Sequence, residues 1–262
     1  MHLGMPTLIE LDNIENCAVL CRELGLNFIE LNMNLPQYQL SRIDVPYFKG
    51  IAEKYGVFYT IHLDENLDVS DFNPYIADAY RRTAAEALVL AKQLEIPVLN
   101  MHLAKGVYFT LPDRKVYLFD QYRDQYLKSI VNFRALCETV IGNCGIRIGI
   151  ENCDGFREYQ KEAMGILLES PVFGLTYDIG HDHGCGGVDA PYILTRREKL
   201  CHMHMHDAVG KKNHMALGAG EMDIAKFLTL AAERNCRVVL ETKTVQGLRE
   251  SMQWLRGKGY LL

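Results

Sequence analysis

Short apolar runs alternate with longer amphipathic stretches along the whole chain. The short runs are bounded by turn residues and predict β-strands. They occupy residues 2–5, 27–32, 57–63, 97–103, 146–152, 173–178, 200–206 and 237–242. The stretches between them place apolar residues three and four positions apart, which is the spacing of amphipathic helices.

Three of the amphipathic stretches predict helices with clear limits, at residues 13–25, 75–95 and 223–235. We expect Asp12 to cap the start of the first helix and Gly25 to end it, because these residue types favour those positions. The other helices are predicted by the same periodicity, without such distinct boundaries.

The order of these elements predicts the architecture. Eight strands that each precede a helix, in about 260 residues, are typical of a (β/α)8 barrel, and we expect one such α/β domain over residues 1–262. A doubly wound open sheet is the competing fold. Such sheets usually carry a glycine-rich phosphate loop after the first strand, and residues 4–12, GMPTLIELD, do not form one.

Composition narrows the class of protein. The chain is 48% hydrophobic and 23% charged, with a formal net charge of -5, which argues against general nucleic-acid binding. It contains no apolar run long enough to span a membrane and no recognisable signal peptide. The eight cysteines include no CxxC pair and are typical of reduced thiols. We therefore expect a soluble cytoplasmic protein with no membrane contact, and a homo-oligomer is compatible with the sequence.

Carboxylate or imidazole side chains stand at the carboxyl ends of most predicted strands. They are Glu30, His62, His102, Glu151, Asp178 with His181, His204 with His206 and Asp207, and Glu241. In a parallel barrel these ends meet at one face, where the active sites of such barrels lie. Carboxylates clustered there would repel each other unless a cation compensated them. The pattern therefore predicts a site for a divalent metal ion such as Zn, Mn, Co or Mg.

The segment CHMHMHD orders three histidines by depth. Alternation along a strand places His202, His204 and His206 on one side. If that side faces the interior, His202 lies a layer deeper, His204 lies at the level of the ligands, and His206 lies at or beyond the rim. We expect His204 to be the ligand. For Glu30, at the end of the second strand, substrate contact and structural anchoring both remain open.

These motifs resemble the xylose isomerase-like barrels, a family that includes sugar isomerases and epimerases, hydroxypyruvate isomerase, inosose dehydratase and endonuclease IV. The resemblance covers almost the whole chain. It rests on the segments IHLD at 61–64, NMHL at 100–103, IGIEN at 148–152, LTYDIGH at 175–181, MHMHD at 203–207, NHMALGAG at 213–220 and LET at 240–242.

The resemblance implies a metal quartet and further candidate ligands. The quartet of the sugar epimerases corresponds to Glu151, Asp178, His204 and Glu241. The three-metal cluster of endonuclease IV would add His62, His102, His181 and His214. Lys212 stands where that cluster has an aspartate. A lysine there would disfavour a third divalent ion by repulsion, or it would point into solvent and leave the third metal site unaffected, and the sequence leaves both alternatives open.

Two functions follow from the resemblance. The first is a metal-dependent isomerase or epimerase of a small sugar or sugar phosphate, with Glu151 and Glu241 as the acid/base pair on either side of a metal-stabilised enediolate. In that reaction His62, His102 and His181 would bind substrate, and no organic cofactor is needed. The alternative is an endonuclease IV-like phosphodiesterase acting at abasic DNA sites. Residues 105–126 are expected to form a cover loop that leads into a helix.

Overall fold

A closed barrel of eight parallel strands forms the centre of the computed structural model, which describes residues 1–260. In chain order the strands are β1 (His2–Pro6), β2 (Phe28–Asn32), β3 (Phe58–His62), β4 (Val98–His102), β5 (Tyr108–Thr110), β6 (Lys115–Tyr117), β7 (Arg147–Glu151), β8 (Phe173–Asp178), β9 (Leu200–Met205), β10 (Asp207–Val209), β11 (Lys212–Met215) and β12 (Arg237–Leu240). The barrel runs in the order β1-β12-β9-β8-β7-β4-β3-β2 and closes between β2 and β1. The predicted (β/α)8 barrel and its eight strands are confirmed.

Helices surround the barrel. They are α1 (Ile14–Leu24), α2 (Val45–Tyr55), α3 (Pro74–Gln93), α4 (Leu118–Gln121), α5 (Arg123–Ile141), α6 (Glu158–Leu168), α7 (Ile179–Gly184), α8 (Ala190–Leu194), α9 (Ile224–Glu233) and α10 (Val245–Gly257). Short 3-10 turns lie at Pro36–Tyr38, Leu40–Arg42 and Arg197–Lys199. Within residues 1–260, none of the helices has the length and apolar character needed to cross a membrane.

The first helix illustrates how the sequence sets local structure. Its apolar positions recur at three- and four-residue intervals and are buried against the barrel. Gly25 ends the helix as predicted, in the left-handed conformation with φ 77°. The N-cap is Asn13 rather than Asp12, so that expectation was wrong by one residue. Asn13 has an extended backbone, and its side chain accepts a hydrogen bond of 2.9 Å from the amide of Asn16.

Successive residues of the barrel strands point to opposite faces, and the two faces differ in chemistry. The outward face packs under the helices and is apolar. It includes Ile29, Leu31, Tyr59, Ile61, Ile148, Ile150, Met203, Met205, Val238 and Leu240. The inward face carries buried polar side chains in its upper layers. They include Glu30, Thr60, His62, Asn100, Thr176, His202 and His204. The apolar layer between barrel and helices therefore holds the fold, while the barrel interior is free for chemistry.

Two antiparallel hairpins extend from the carboxyl-terminal face of the barrel. Strands β5 and β6 pair within residues 105–126, so the predicted cover loop contains a hairpin before α4 and α5 begin. Strands β10 and β11 pair directly after β9. The second hairpin brings the segment from Asp207 to Met215 back over the strand ends.

Candidate metal centre and active site

Four buried side chains meet at the carboxyl-terminal mouth of the barrel. Glu151 ends β7, Asp178 ends β8, His204 lies near the end of β9, and Glu241 directly follows β12. Each offers one ligand atom, and these atoms lie within 4.8 Å of one another. The structure thus brings together the four residues of the expected metal quartet, from strands separated by up to 90 residues in the chain.

One imidazole nitrogen faces all three carboxylates. His204 Nδ1 lies 2.9 Å from Oε1 of Glu151, 3.5 Å from Oε2 of Glu241 and 3.8 Å from Oδ2 of Asp178. Oε2 of Glu241 is buried and has no hydrogen-bond donor among residues 1–260. Oxygen and nitrogen atoms thus converge on one point, and Oε2 of Glu241 among them has no donor. Such an arrangement suits a divalent cation.

The charges of the quartet support the same conclusion. Burial alone would lower the pKa of His204, but the carboxylates of Glu151, Glu241 and Glu30 raise it well above its ordinary value. Burial would raise the pKa of Asp178, yet the neighbouring His206 holds it low. The carboxylates therefore stay ionised, and because they are buried together they need compensating positive charge. A divalent cation would supply that charge.

His62 and His102 flank the other oxygen of Glu151. Their Nε2 atoms lie 3.3 Å and 3.2 Å from Oε2, and the amide of Asn100 donates to the same oxygen. Burial would lower the pKa of His62, but the Glu151 carboxylate raises it to about 9. Glu151 therefore lies between His204 on one side and two further imidazoles on the other. Asn100 was not identified from the sequence, although it shares a strand face with His102.

His181, His206 and His214 form a third group, with nitrogen atoms within 4.8 Å of one another. His206 directly follows β9, at the rim as expected, but its side chain is fully buried. Its Nε2 lies 3.1 Å from Oδ1 of Asp178, and its Nδ1 accepts a 2.8 Å hydrogen bond from the amide of His214. The hairpin β10–β11 makes this possible by folding back over the strand ends. Burial lowers the pKa of His214 to about 4.

The two lysines beside the site differ in their surroundings. Lys212, in β11, is exposed. Lys243 was not identified from the sequence, and its ammonium nitrogen lies 2.6 Å from Oε1 of Glu241. It follows Glu241 by two positions in a left-handed turn, so no strand alternation signalled it.

A cavity of about 540 Å³ opens beside Glu151 and His102. Four carboxylates line it, from Glu65, Asp68, Glu151 and Asp154. The lysine of its lining, Lys105, is paired with Asp154. The space next to the quartet is therefore polar and predominantly acidic.

The family model of the xylose isomerase-like TIM barrels matches residues 18–258. The chain belongs to this family. Among solved structures, the chain is similar to a D-tagatose 3-epimerase-like protein, with 20% identity and a TM-score of 0.80 over 99% of this chain and 97% of that one. The IOLI protein, solved with a bound zinc atom, has 14% identity and a TM-score of 0.76 over 100% and 99%.

A further similar structure, the 3-keto-D-glucoside 4-epimerase YcjR from E. coli, has 16% identity and a TM-score of 0.75 over 98% of this chain and 99% of that one. No curated protein sequence matches the chain. At these identities the likeness establishes the fold that the chain shares with these proteins.

Proposed function

We propose that this protein is a divalent-metal-dependent isomerase or epimerase of a small sugar. The observation that carries the proposal is the placement of Glu151 and Glu241, whose carboxylates approach His204 Nδ1 from two different strands at 2.9 Å and 3.5 Å. Two carboxylates on separate sides of one substrate site suit the removal and the return of a proton. The epimerase titles among the solved structures point in the same direction.

The metal would be held by Glu151, Asp178, His204 and Glu241. When bound, a divalent cation such as Mn, Zn, Co or Mg supplies a Lewis acid that polarises a substrate carbonyl. No organic cofactor is needed for this chemistry.

The carboxylates would perform the proton transfers. One glutamate takes the proton from the carbon next to the carbonyl, which leaves an enediolate. The other glutamate returns a proton to the same carbon from the opposite face, which inverts it. Alternatively, the proton goes to the neighbouring carbon while the hydroxyl proton passes to the former carbonyl oxygen, which moves the carbonyl and isomerises the sugar. His62 and His102 contact Glu151, His181 contacts Asp178, and these three histidines would bind substrate hydroxyl groups.

The charge of the cavity favours an uncharged sugar over a sugar phosphate. A phosphate dianion placed there would lie among Glu65, Asp68 and Asp154, and Lys105 is already paired with Asp154. Hydroxyl groups can donate hydrogen bonds to these carboxylates without repulsion.

A metal-dependent phosphodiesterase acting at abasic DNA sites is the second candidate. It is favoured by the contacts of Glu151, whose Oε1 faces His204 and whose Oε2 faces His62 and His102. A carboxylate with nitrogen donors on both sides suits a bridge between two metal ions. The net charge of -5 argues against a DNA-binding surface.

The test is metal content followed by proton exchange. We expect about one divalent ion per chain in protein purified without chelators, by plasma mass spectrometry. In D2O, the loaded protein should then introduce deuterium next to the carbonyl of a free ketose faster than into its phosphate ester, as observed by proton NMR. Metal-loaded protein that exchanges no ketose and nicks abasic DNA would replace this proposal with the second candidate.

A further inference from the structure

A buried carboxylate lies directly beneath the metal quartet. Glu30 sits in the middle of β2, points into the barrel interior, and is 1% exposed. It is not a member of the quartet, and its side chain cannot reach solvent. Substrate contact, one of the two roles left open by the sequence, is therefore excluded by its depth. An ionised carboxylate in such a place is costly unless donors surround it.

Two hydrogen-bond donors and the ring of His204 surround Glu30. Its Oε1 lies 2.9 Å from Nε2 of His204, and its Oε2 lies 2.8 Å from Nε2 of His202. The hydroxyl of Thr60 donates a 3.2 Å hydrogen bond to the same Oε2. His202 and Thr60 are themselves fully buried, so they hold the carboxylate in one orientation.

The contact with His204 has a consequence for the metal centre. His204 directs Nδ1 toward the three carboxylates of the quartet, so Nδ1 is the nitrogen available to a metal ion. A coordinating imidazole nitrogen carries no proton, and the proton must then reside on Nε2. Oε1 of Glu30 lies 2.9 Å from Nε2, and this nitrogen has no aligned hydrogen bond among residues 1–260, so the carboxylate acts on that proton through its proximity.

A purely structural role would not require a negative charge at this position. A neutral acceptor would satisfy the Nε2 proton at a smaller desolvation cost. An ionised acceptor additionally makes the opposite ring nitrogen a stronger electron donor. The contact of Oε1 with Nε2 therefore acts on Nδ1, the ligand atom on the opposite side of the His204 ring.

We propose that Glu30 is a positioning residue of the metal centre, which fixes His204 as the Nε2-protonated tautomer and strengthens Nδ1 as a ligand. This inference rests on the proposed metal-dependent function. Glu30, in the second strand, would orient a ligand without binding the metal itself. Thr60 and His202 would in turn hold the Glu30 carboxylate in place.

The test compares Glu30→Gln with Asp189→Asn in substrate-free protein. Asp189 is a matched control, because it is 1% exposed and accepts hydrogen bonds from the amides of Gly155 and Phe156, away from the quartet. We expect Glu30→Gln to weaken Zn²⁺ affinity about 10–100-fold in competition with a chelating dye. Asp189→Asn should bind Zn²⁺ as the wild type does.

A spectroscopic readout separates positioning from a loss of packing. In the zinc-loaded wild type, long-range proton–nitrogen NMR should show His204 with a protonated Nε2 and a coordinated Nδ1. In Glu30→Gln these signals should shift or broaden, while in Asp189→Asn they should stay in place. Should Glu30→Gln fail to fold, Thr60→Val removes one donor to the carboxylate and should weaken Zn²⁺ binding about threefold.

The outcomes distinguish this inference from the proposed function. Zinc affinity of Glu30→Gln within threefold of the wild type, with unchanged His204 signals, would overturn the role of Glu30 alone. Wild-type protein that binds no divalent ion would overturn both. Weakened zinc binding in Glu30→Gln, in a protein that exchanges no ketose, would support the role of Glu30 and reject the sugar chemistry.

Discussion

The ammonium nitrogen of Lys243 lies 2.6 Å from Oε1 of Glu241, and Lys243 reaches it from a left-handed backbone with φ 60°. A non-glycine residue in that conformation costs about 1–2 kcal/mol. Strain of this kind persists where the surrounding structure demands it and is common at functional sites. The turn after β12 therefore adopts a strained backbone conformation. This conformation places the Lys243 ammonium against Glu241, one of the two proposed proton-transfer carboxylates.

Replacing Lys243 with Met should tighten metal binding. The ammonium is a positive charge beside a ligand carboxylate, and its removal lessens repulsion of a divalent cation. We expect Zn²⁺ affinity to rise about tenfold in chelator competition, since the group is partly exposed and screened. Lys128→Met, at an exposed position on α5, serves as the control and should leave affinity unchanged. Weaker zinc binding in Lys243→Met would contradict this electrostatic account.

Replacing Glu151 with Gln should remove the metal. Glu151 supplies one oxygen to the quartet and holds His62 and His102 with the other, so the substitution disrupts both groups. We expect at least about a 100-fold loss of Zn²⁺ affinity and no ketose exchange. Glu158→Gln on the surface of α6 is the matched control. A metal-replete and active Glu151→Gln protein would reject the assignment of the site.

Gly180 in α7 should not tolerate a methyl group. A Cβ added there would lie 2.0 Å from the ring of His206, which contacts Asp178. We expect Gly180→Ala to displace that ring and to lower both stability and Zn²⁺ affinity. Gly165→Ala in α6 is the control, since a Cβ there meets open space and should stabilise the helix by up to about 1 kcal/mol. Chemical denaturation of both variants checks the contrast.

Asp68 should make stability depend on pH. Burial raises the pKa of this carboxyl from 3.8 to about 6, so the folded protein holds a proton that the unfolded chain releases. Its favourable contribution is complete below pH 4 and is lost as pH rises through 6, by up to about 2 kcal/mol. Asp68→Asn keeps the acceptor for the amide of Ser70. We therefore expect the variant to gain stability relative to the wild type from pH 4 to pH 7 in urea titrations. A difference independent of pH would contradict the buried, protonated carboxyl.

Lys212→Asp tests whether the third histidine group can bind a metal ion. The substitution removes a positive charge and adds a carboxylate two residues before His214, on the strand that faces His181 and His206. We expect the number of tightly bound zinc ions per chain to increase by one, measured by equilibrium dialysis. Lys212→Met is the control that removes charge without adding a ligand. Equal zinc content in both variants would show that the histidines do not bind an ion.

The barrel fold and the convergence of the four metal-quartet residues could both be predicted from the sequence, for one physical reason. Parallel strands of fixed period place their last residues on a common face, so Glu151, Asp178, His204 and Glu241 could be expected together before any coordinates were known. That geometry depends only on the order and length of the strands.

The parts that the sequence did not predict depend on where the backbone turns. His206 is buried because β10–β11 folds back over the strand ends, and Lys243 reaches Glu241 through a left-handed turn. The N-cap of α1 is Asn13 and not Asp12, although both residue types favour that position. The extended backbone of Asn13 places its side chain at the amide of Asn16, and residue type alone does not reveal this. Patterns of apolar residues carry little information about such turns.

The two faces of the barrel strands have an evolutionary consequence. Residues such as Ile150 and Met203 support the helices, while the intervening Glu151 and His204 perform no packing under them. Substitutions on the inner face can therefore change the reaction while the outer layer keeps the chain folded. New catalysts could arise in this barrel through changes to the inward-facing residues of the strands, because the adjacent outward-facing residues keep the helices packed and the chain folded.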